Sequence, residues 1–180
     1  MAAAAQDIVS FWISAGPAKW FAKDEAFDGE IRQKFLDAHE AAARGEYEGW
    51  SEHPQSALAL LILTDQFPRN LFRGSAHAFA TDAMALAVAK KCLRLGHDAH
   101  CGVAMKQFFY MPLMHSENIW DQELCVSLCR AHGLKDNLAF AEDHRDIIRK
   151  FGRFPHRNKV FCRVTTPEEQ AFLDGGGFAG

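Results

Sequence analysis

Two stretches of this chain place the same side-chain chemistry behind a Phe-Pro pair: FPRNLFR at 67–73 and FPHRNKVFCR at 154–163. Arg69 and Asn70 follow the first proline. His156, Arg157 and Asn158 follow the second, and Arg153 comes just before its Phe-Pro. Planar guanidinium and amide donors on a loop stiffened by proline suit a carboxylate or a phosphate. Other side chains could move protons. Asp65 takes the next core-facing position after Leu58, Leu61 and Ile62, and His144 interrupts the stripe Phe140, Ile147, Ile148, Phe151. His115 and Glu117 lie in YMPLMHSENIWDQ, where a helix begins and its first backbone N–H groups are open. Burying Asp65 or His144 costs several kcal/mol unless a partner is met, so these residues are expected to converge with Arg69, Arg153 and Arg157.

Each group also has a structural reading. Asp65 with Arg69, four residues on, suits an ion pair at a helix end. A lone His on an apolar stripe suits a hydrogen-bonded core residue. Ser116 suits a helix cap, since no GxSxG surrounds it. The pair His115-x-Glu117 is not HExxH, and nothing at fixed spacing completes a metal site. No phosphate-loop or dinucleotide fingerprint is present, so neither metal nor cofactor is expected. The segment 144–163 holds seven Lys or Arg against one Asp, which reads either as a solvated face or as a loop aimed at an anion.

The elements that must position these groups are helical. Ile8, Phe11, Trp12 and Ala15 form a 3.6-period stripe ended by Gly16-Pro17, and Ile31, Phe35, Ala38 and Ala42 form the next, ended by Gly45. Pro54 opens SALALLILTDQ, apolar nearly all round and therefore central. A start near Thr81 leads through Met84, Val88 and Leu95 to Gly96. A further helix near 101–110 is expected to end before Pro112. Ser116 is expected to cap the stripe Trp120, Leu124, Leu128, Ala131. Asp136 is expected to cap the one holding Phe140, His144, Ile147 and Phe151, stopped by Gly152. Thr166-Pro167-Glu168-Glu169 has the form of a capping box. Pro is expected to end a helix in both Phe-Pro phrases, making two similar corners. No β-branched alternation bounded by hairpin turns competes. The fold is therefore read as all-α, with eight or nine helices packed as antiparallel pairs in one domain, 1–180, with 175–180 a loose tail.

Composition agrees. The chain has 180 residues, 48% of them hydrophobic, enough for a sizeable core, and a net charge of −3 that points away from nucleic acid. The N-terminus lacks a basic leader region, and no apolar run is long enough for a membrane span. Five Cys at 92, 101, 125, 129 and 162 show no CxxC and no disulfide framework, as suits reduced thiols in a cytoplasmic protein.

The phrases LTDQFPRNLFRG, FATDAMALA, FFYMPLMHSE with DQE, FGRFPHRN and TPEEQAFL, in order over roughly 6–174, resemble the bacterial family called domain of unknown function 924. The resemblance implies an all-helical, tetratricopeptide-like fold and no established activity. The Trp-Leu-Gly-Tyr repeat consensus of tetratricopeptide proteins is absent. The residues favour a small-molecule or anion-binding helical protein and leave catalysis open. Its donors would be Arg69, Asn70, Arg153, His156, Arg157 and Asn158, and its acid-base groups Asp65, His115, Glu117 and His144. The alternative is a scaffold for a protein partner, with the same polar cluster as an internal brace. The sequence sets no oligomeric state.

Overall fold

The computed structural model describes residues 4–179, and among them only helices, turns and loops occur. The helices are α1 (Ala5–Ala15), α2 (Pro17–Trp20), α3 (Glu25–Ala43), α4 (Pro54–Leu61), α5 (Phe67–Leu71), α6 (Asp82–Leu95), α7 (Val103–Met114), α8 (Ile119–Ala131), α9 (Lys135–Phe151) and α10 (Pro167–Asp174). A π-helical turn, Ile62–Gln66, joins α4 to α5 without a break, so these segments make nine helices. None is long and apolar enough to cross a membrane among the described residues. The described residues form two compact units, one of 4–73 and 77–112, the other of 74–76 and 113–179.

In the first unit α1 packs on α4, α3 on α5 and the π turn, and α6 on α4. Aromatic rings from separated stretches fill its interior. Trp12 stacks on Trp20 at 6.2 Å and meets Phe67 and Phe108 edge-on at 5.5 and 5.8 Å. Such offset and edge-to-face pairs add to the burial of large apolar area.

Pro68 does not end its helix, contrary to the expectation from its ring and missing N–H. The π turn accommodates it: the Phe67 N–H donates to the Ile62 carbonyl, five residues back. A proline at 68 leaves the carbonyls of Leu63 and Thr64 without the amide that would ordinarily reach them. His39 Nδ1 donates to the first at 2.8 Å, and Thr81 Oγ1 donates to the second at 2.5 Å. The side chain of Thr81 is spent there and makes no cap hydrogen bond to α6.

The second unit is built on the α8–α9 hairpin. Arg130 pairs with Glu142 at 2.8 Å, and Arg149 pairs with Glu123, so the two helices run antiparallel. Ile147, Ile148 and Phe154 are its buried apolar cluster, with Ile119, Phe151 and Phe172 packed against it. The inward face of α8 is not the expected one. Asp121, Gln122, Cys125, Val126 and Cys129 are buried, while Trp120 is 78% exposed and Leu124 40%. Phe140 of α9 is also exposed. Small thiols and the polar groups Asp121 and Gln122 take the packed side. Asn118, not Ser116, caps α8, accepting from the Trp120 N–H at 2.9 Å. Leu134 stands at the cap position of α9, which places Asp136 inside the first turn. Pro112 lies inside α7 rather than beyond it. The capping box of α10 forms as read, with Thr166 accepting from the Glu169 N–H. Gly175–Gly177 is tied back to α10 through amides donating to Ala171, Leu173 and Phe172 carbonyls, so the segment expected as a loose tail is packed at least to Phe178. Gly177 approaches the Phe172 ring so closely that a Cβ there would lie 2.5 Å from it. None of the five Cys is joined in a disulfide.

Candidate functional site

The second Phe-Pro phrase begins where α9 stops. Gly152 takes the left-handed conformation at φ 69°, Phe154 is extended, and Pro155 opens a single 3-10 turn, Pro155–Arg157. In the first phrase Pro68 likewise stands in the first turn of a helical segment. Pro155 thus starts a turn, where no amide is needed from it, whereas Pro68 lies in a helix that runs on from the π turn and leaves carbonyls to the side chains of His39 and Thr81. The parallel extends to the Asn. Asn70 Nδ2 donates to Asp28 at 2.8 Å, and Asn158 Nδ2 donates to Glu169 at 3.1 Å. It extends also to the closing Arg: Arg73 pairs with Asp28, and Arg163 grips Glu117 with both terminal nitrogens at 2.9 Å.

Several of the predicted donors are therefore spent on carboxylates of their own unit. Arg153 holds Glu169 by two nitrogens, at 2.6 and 2.9 Å. Arg153 hydrogen bonds, opposed by burial and helped by the Thr166 N–H and Asn158, bring the Glu169 carboxyl down to about 2. Burial pushes the Glu117 carboxyl up, but Arg163, the Phe154 N–H at 2.9 Å and nearby Arg157 outweigh it, and the net shift is downward. Glu117 and Glu169 are thus firmly ionised and tie the 152–163 loop to the start of α8 and to α10. That is bracing.

What the loop encloses differs. Four rings close a circuit in which Phe and His alternate. Phe154 and His144 centroids are 5.4 Å apart, His144 and Phe178 4.4 Å, Phe178 and His156 5.0 Å, His156 and Phe154 5.6 Å. The Arg157 guanidinium lies over Phe154 at 4.6 Å and donates to the His115 carbonyl at 3.1 Å. His144, 6% exposed, donates from Nδ1 to the Phe140 carbonyl at 2.8 Å. His156 Nδ1 is buried with no hydrogen-bond partner. Burial, the Arg157 charge and His144 take the His156 pKa down to about 3, so its ring is neutral near neutral pH. His115 and Glu117 also act on it electrostatically. The second unit thus brings together five of the predicted residues: His115, Glu117, His144, His156 and Arg157. Among the described residues no group of three or more His, Cys, Asp or Glu is arranged to hold a metal ion.

Asp65, Arg69 and Asn70 belong to the first unit. Asp65 is 1% exposed, and its carboxylate accepts from Gln66 Nε2 at 2.5 Å and faces Arg69 at 3.6 Å. Arg69 also grips Asp82 at 3.0 and 3.2 Å. Burial works against its charge, Asp65 and Asp82 more than offset that, and the guanidinium is held above its ordinary pKa.

Phe178, Arg163, Glu169 and Asp82 act in these clusters and were not picked out from sequence. Glu169 was legible as a helix-cap residue, but its hold on Arg153 and Asn158 is tertiary. Phe178 follows three glycines, a composition that reads as slack until Gly176, at φ 81°, turns the chain back over α10.

The model of the family described as bacterial protein of unknown function (DUF924) matches residues 8–177. A solved structure, that of a protein of unknown function from Agrobacterium tumefaciens, is 49% identical, covers 96% of this chain and 97% of that chain, and superposes with a TM-score of 0.90. No curated protein matches. With its family phrases matched over nearly all its length, the chain belongs to the bacterial family of unknown function DUF924.

Proposed function

We propose that the second unit binds a small anion, a carboxylate or a phosphate, at the His144–His156–Arg157 cluster. The observation that carries this reading is the buried, partnerless Nδ1 of His156 beside the Arg157 cation. A buried polar atom without a partner costs roughly 1–3 kcal/mol, and such atoms concentrate where a ligand or an ordered water completes the structure. An anion facing Arg157 offers the oxygen that a protonated His156 needs as acceptor. His156 then becomes a proton donor that only the bound state ionises. The carboxylates that hold Arg153 and Arg163 leave those two as braces of the site, not as its donors.

The test is thermal shift with acetate and with inorganic phosphate at constant ionic strength. The wild-type chain should gain melting temperature with one of them, since a ligand that binds only the folded state stabilises it. His156→Gln should lose that gain. A wild type unmoved by either anion would favour the second reading, a scaffold for a protein partner, for which exposed Trp120 and Leu124 on α8 speak.

A further inference from the structure

The proposed anion site has an apolar neighbour. A groove of about 290 Å³ lies along α9, floored by Ile147, Phe151, Phe172 and Phe178. Asp143, Asp146 and Lys150 stand at its rim. Its volume is at the small end for ligand pockets, which suits a small molecule better than a peptide. Phe178 belongs to both places: it walls the groove, and its ring covers His144 and His156. Ile147 follows His144 by three residues, one turn along the same face of α9. An apolar group lying in the groove therefore stands one helical turn, and one ring, from the histidines.

The charges select the other end of such a molecule. Asp146 pairs with Arg145 at 2.9 Å. Arg149 pairs with Glu123, so the rim keeps Lys150 against Asp143, and Arg157 places a buried cation on the histidine side. Resting on the anion-site reading above, we infer that the ligand is an apolar acid, an aryl or branched-alkyl carboxylate, whose acid group meets Arg157 and His156 and whose apolar body fills the Phe151–Phe172–Phe178 groove.

Calorimetric titration of the full chain with acetate, 3-phenylpropionate and 3-phenylpropylamine tests this. The aryl acid should bind at least about tenfold more tightly than acetate, as expected for burying a ring, and the amine should not bind. Phe172→Ala should bring the aryl acid to within about threefold of acetate. Acetate and the aryl acid binding equally to the wild-type chain would overturn the groove assignment and leave the anion site standing. Binding of neither acid would overturn both. Preference for the amine would show that Asp143 and Asp146 govern the groove, and would overturn the inference of an acid. The wild-type series decides the matter even if Phe172→Ala fails to fold.

Discussion

Charge state separates the polar residues of the second unit into those that hold the structure and those that await something. Glu169 and Glu117 have pKa values pushed down, satisfied by bidentate guanidinium partners. His156 has its pKa pushed down for the opposite reason: burial and neighbouring positive charge deny it a proton. The consequence for stability has a definite sign. Its pKa falls from 6.5 to about 3 on folding. Between those values the unfolded chain binds the proton and the folded chain does not, so stability rises with pH across that window. The contribution is complete above about pH 6.5 and is lost as pH falls towards about 3. Urea unfolding at about pH 7 and about pH 5 should show a marked drop in the wild-type midpoint at the lower pH. His156→Gln, which does not titrate, should show a smaller drop. Equal drops would place the acid sensitivity elsewhere.

At the scale of elements, the π turn shows how far periodicity can be read. Position 65 was legible as buried because the stripe Leu58, Leu61, Ile62 fixes the face of α4, and the same logic found His144 on α9. The continuation of the helix past Pro68 was not legible. It depends on His39 and Thr81, distant in sequence, whose side chains reach the Leu63 and Thr64 carbonyls. On α8 the stripe Trp120, Leu124, Leu128, Ala131 had the right period but the wrong face, because Cys125, Cys129 and a hydrogen-bonded Gln122 pack as well as larger apolar groups do. Gln122 donates to the Met114 and Ser116 carbonyls at 2.6 and 2.7 Å, a use that no local pattern announces. The capping box of α10 and the Gly152 stop, which are local devices, were read directly. The π turn makes its own prediction. Thr81→Val keeps the shape and removes the donor to a buried carbonyl, so it should cost about 1–3 kcal/mol, measured by chemical denaturation. A cost near zero would mean that another donor serves the Thr64 carbonyl.

At the scale of the whole molecule, the helices came from sequence with several of their caps and stops misplaced, while the grouping of residues into sites did not. The repeated Phe-Pro phrase reads from sequence as two similar helix-ending corners, which could face one polar pocket only if those helix ends lay adjacent. In the structure its copies lie in different compact units, each tied to carboxylates of its own unit: Asp28, Asp65 and Asp82 in one, Glu117 and Glu169 in the other. Five of the nominated polar residues nevertheless gather in the second unit around a histidine with an unanswered nitrogen. That gathering is the centre of the functional account, and one measurement bears on it most directly: the pH titration of every histidine ring by NMR in the 180-residue chain, with and without saturating acetate or phosphate. The account predicts that His156 titrates far below the ordinary histidine value in the free protein. Adding the anion should move it upward, with accompanying shifts confined to His144, His115 and the loop 152–158. A His156 that titrates near 6.5, or one indifferent to both anions, would contradict it.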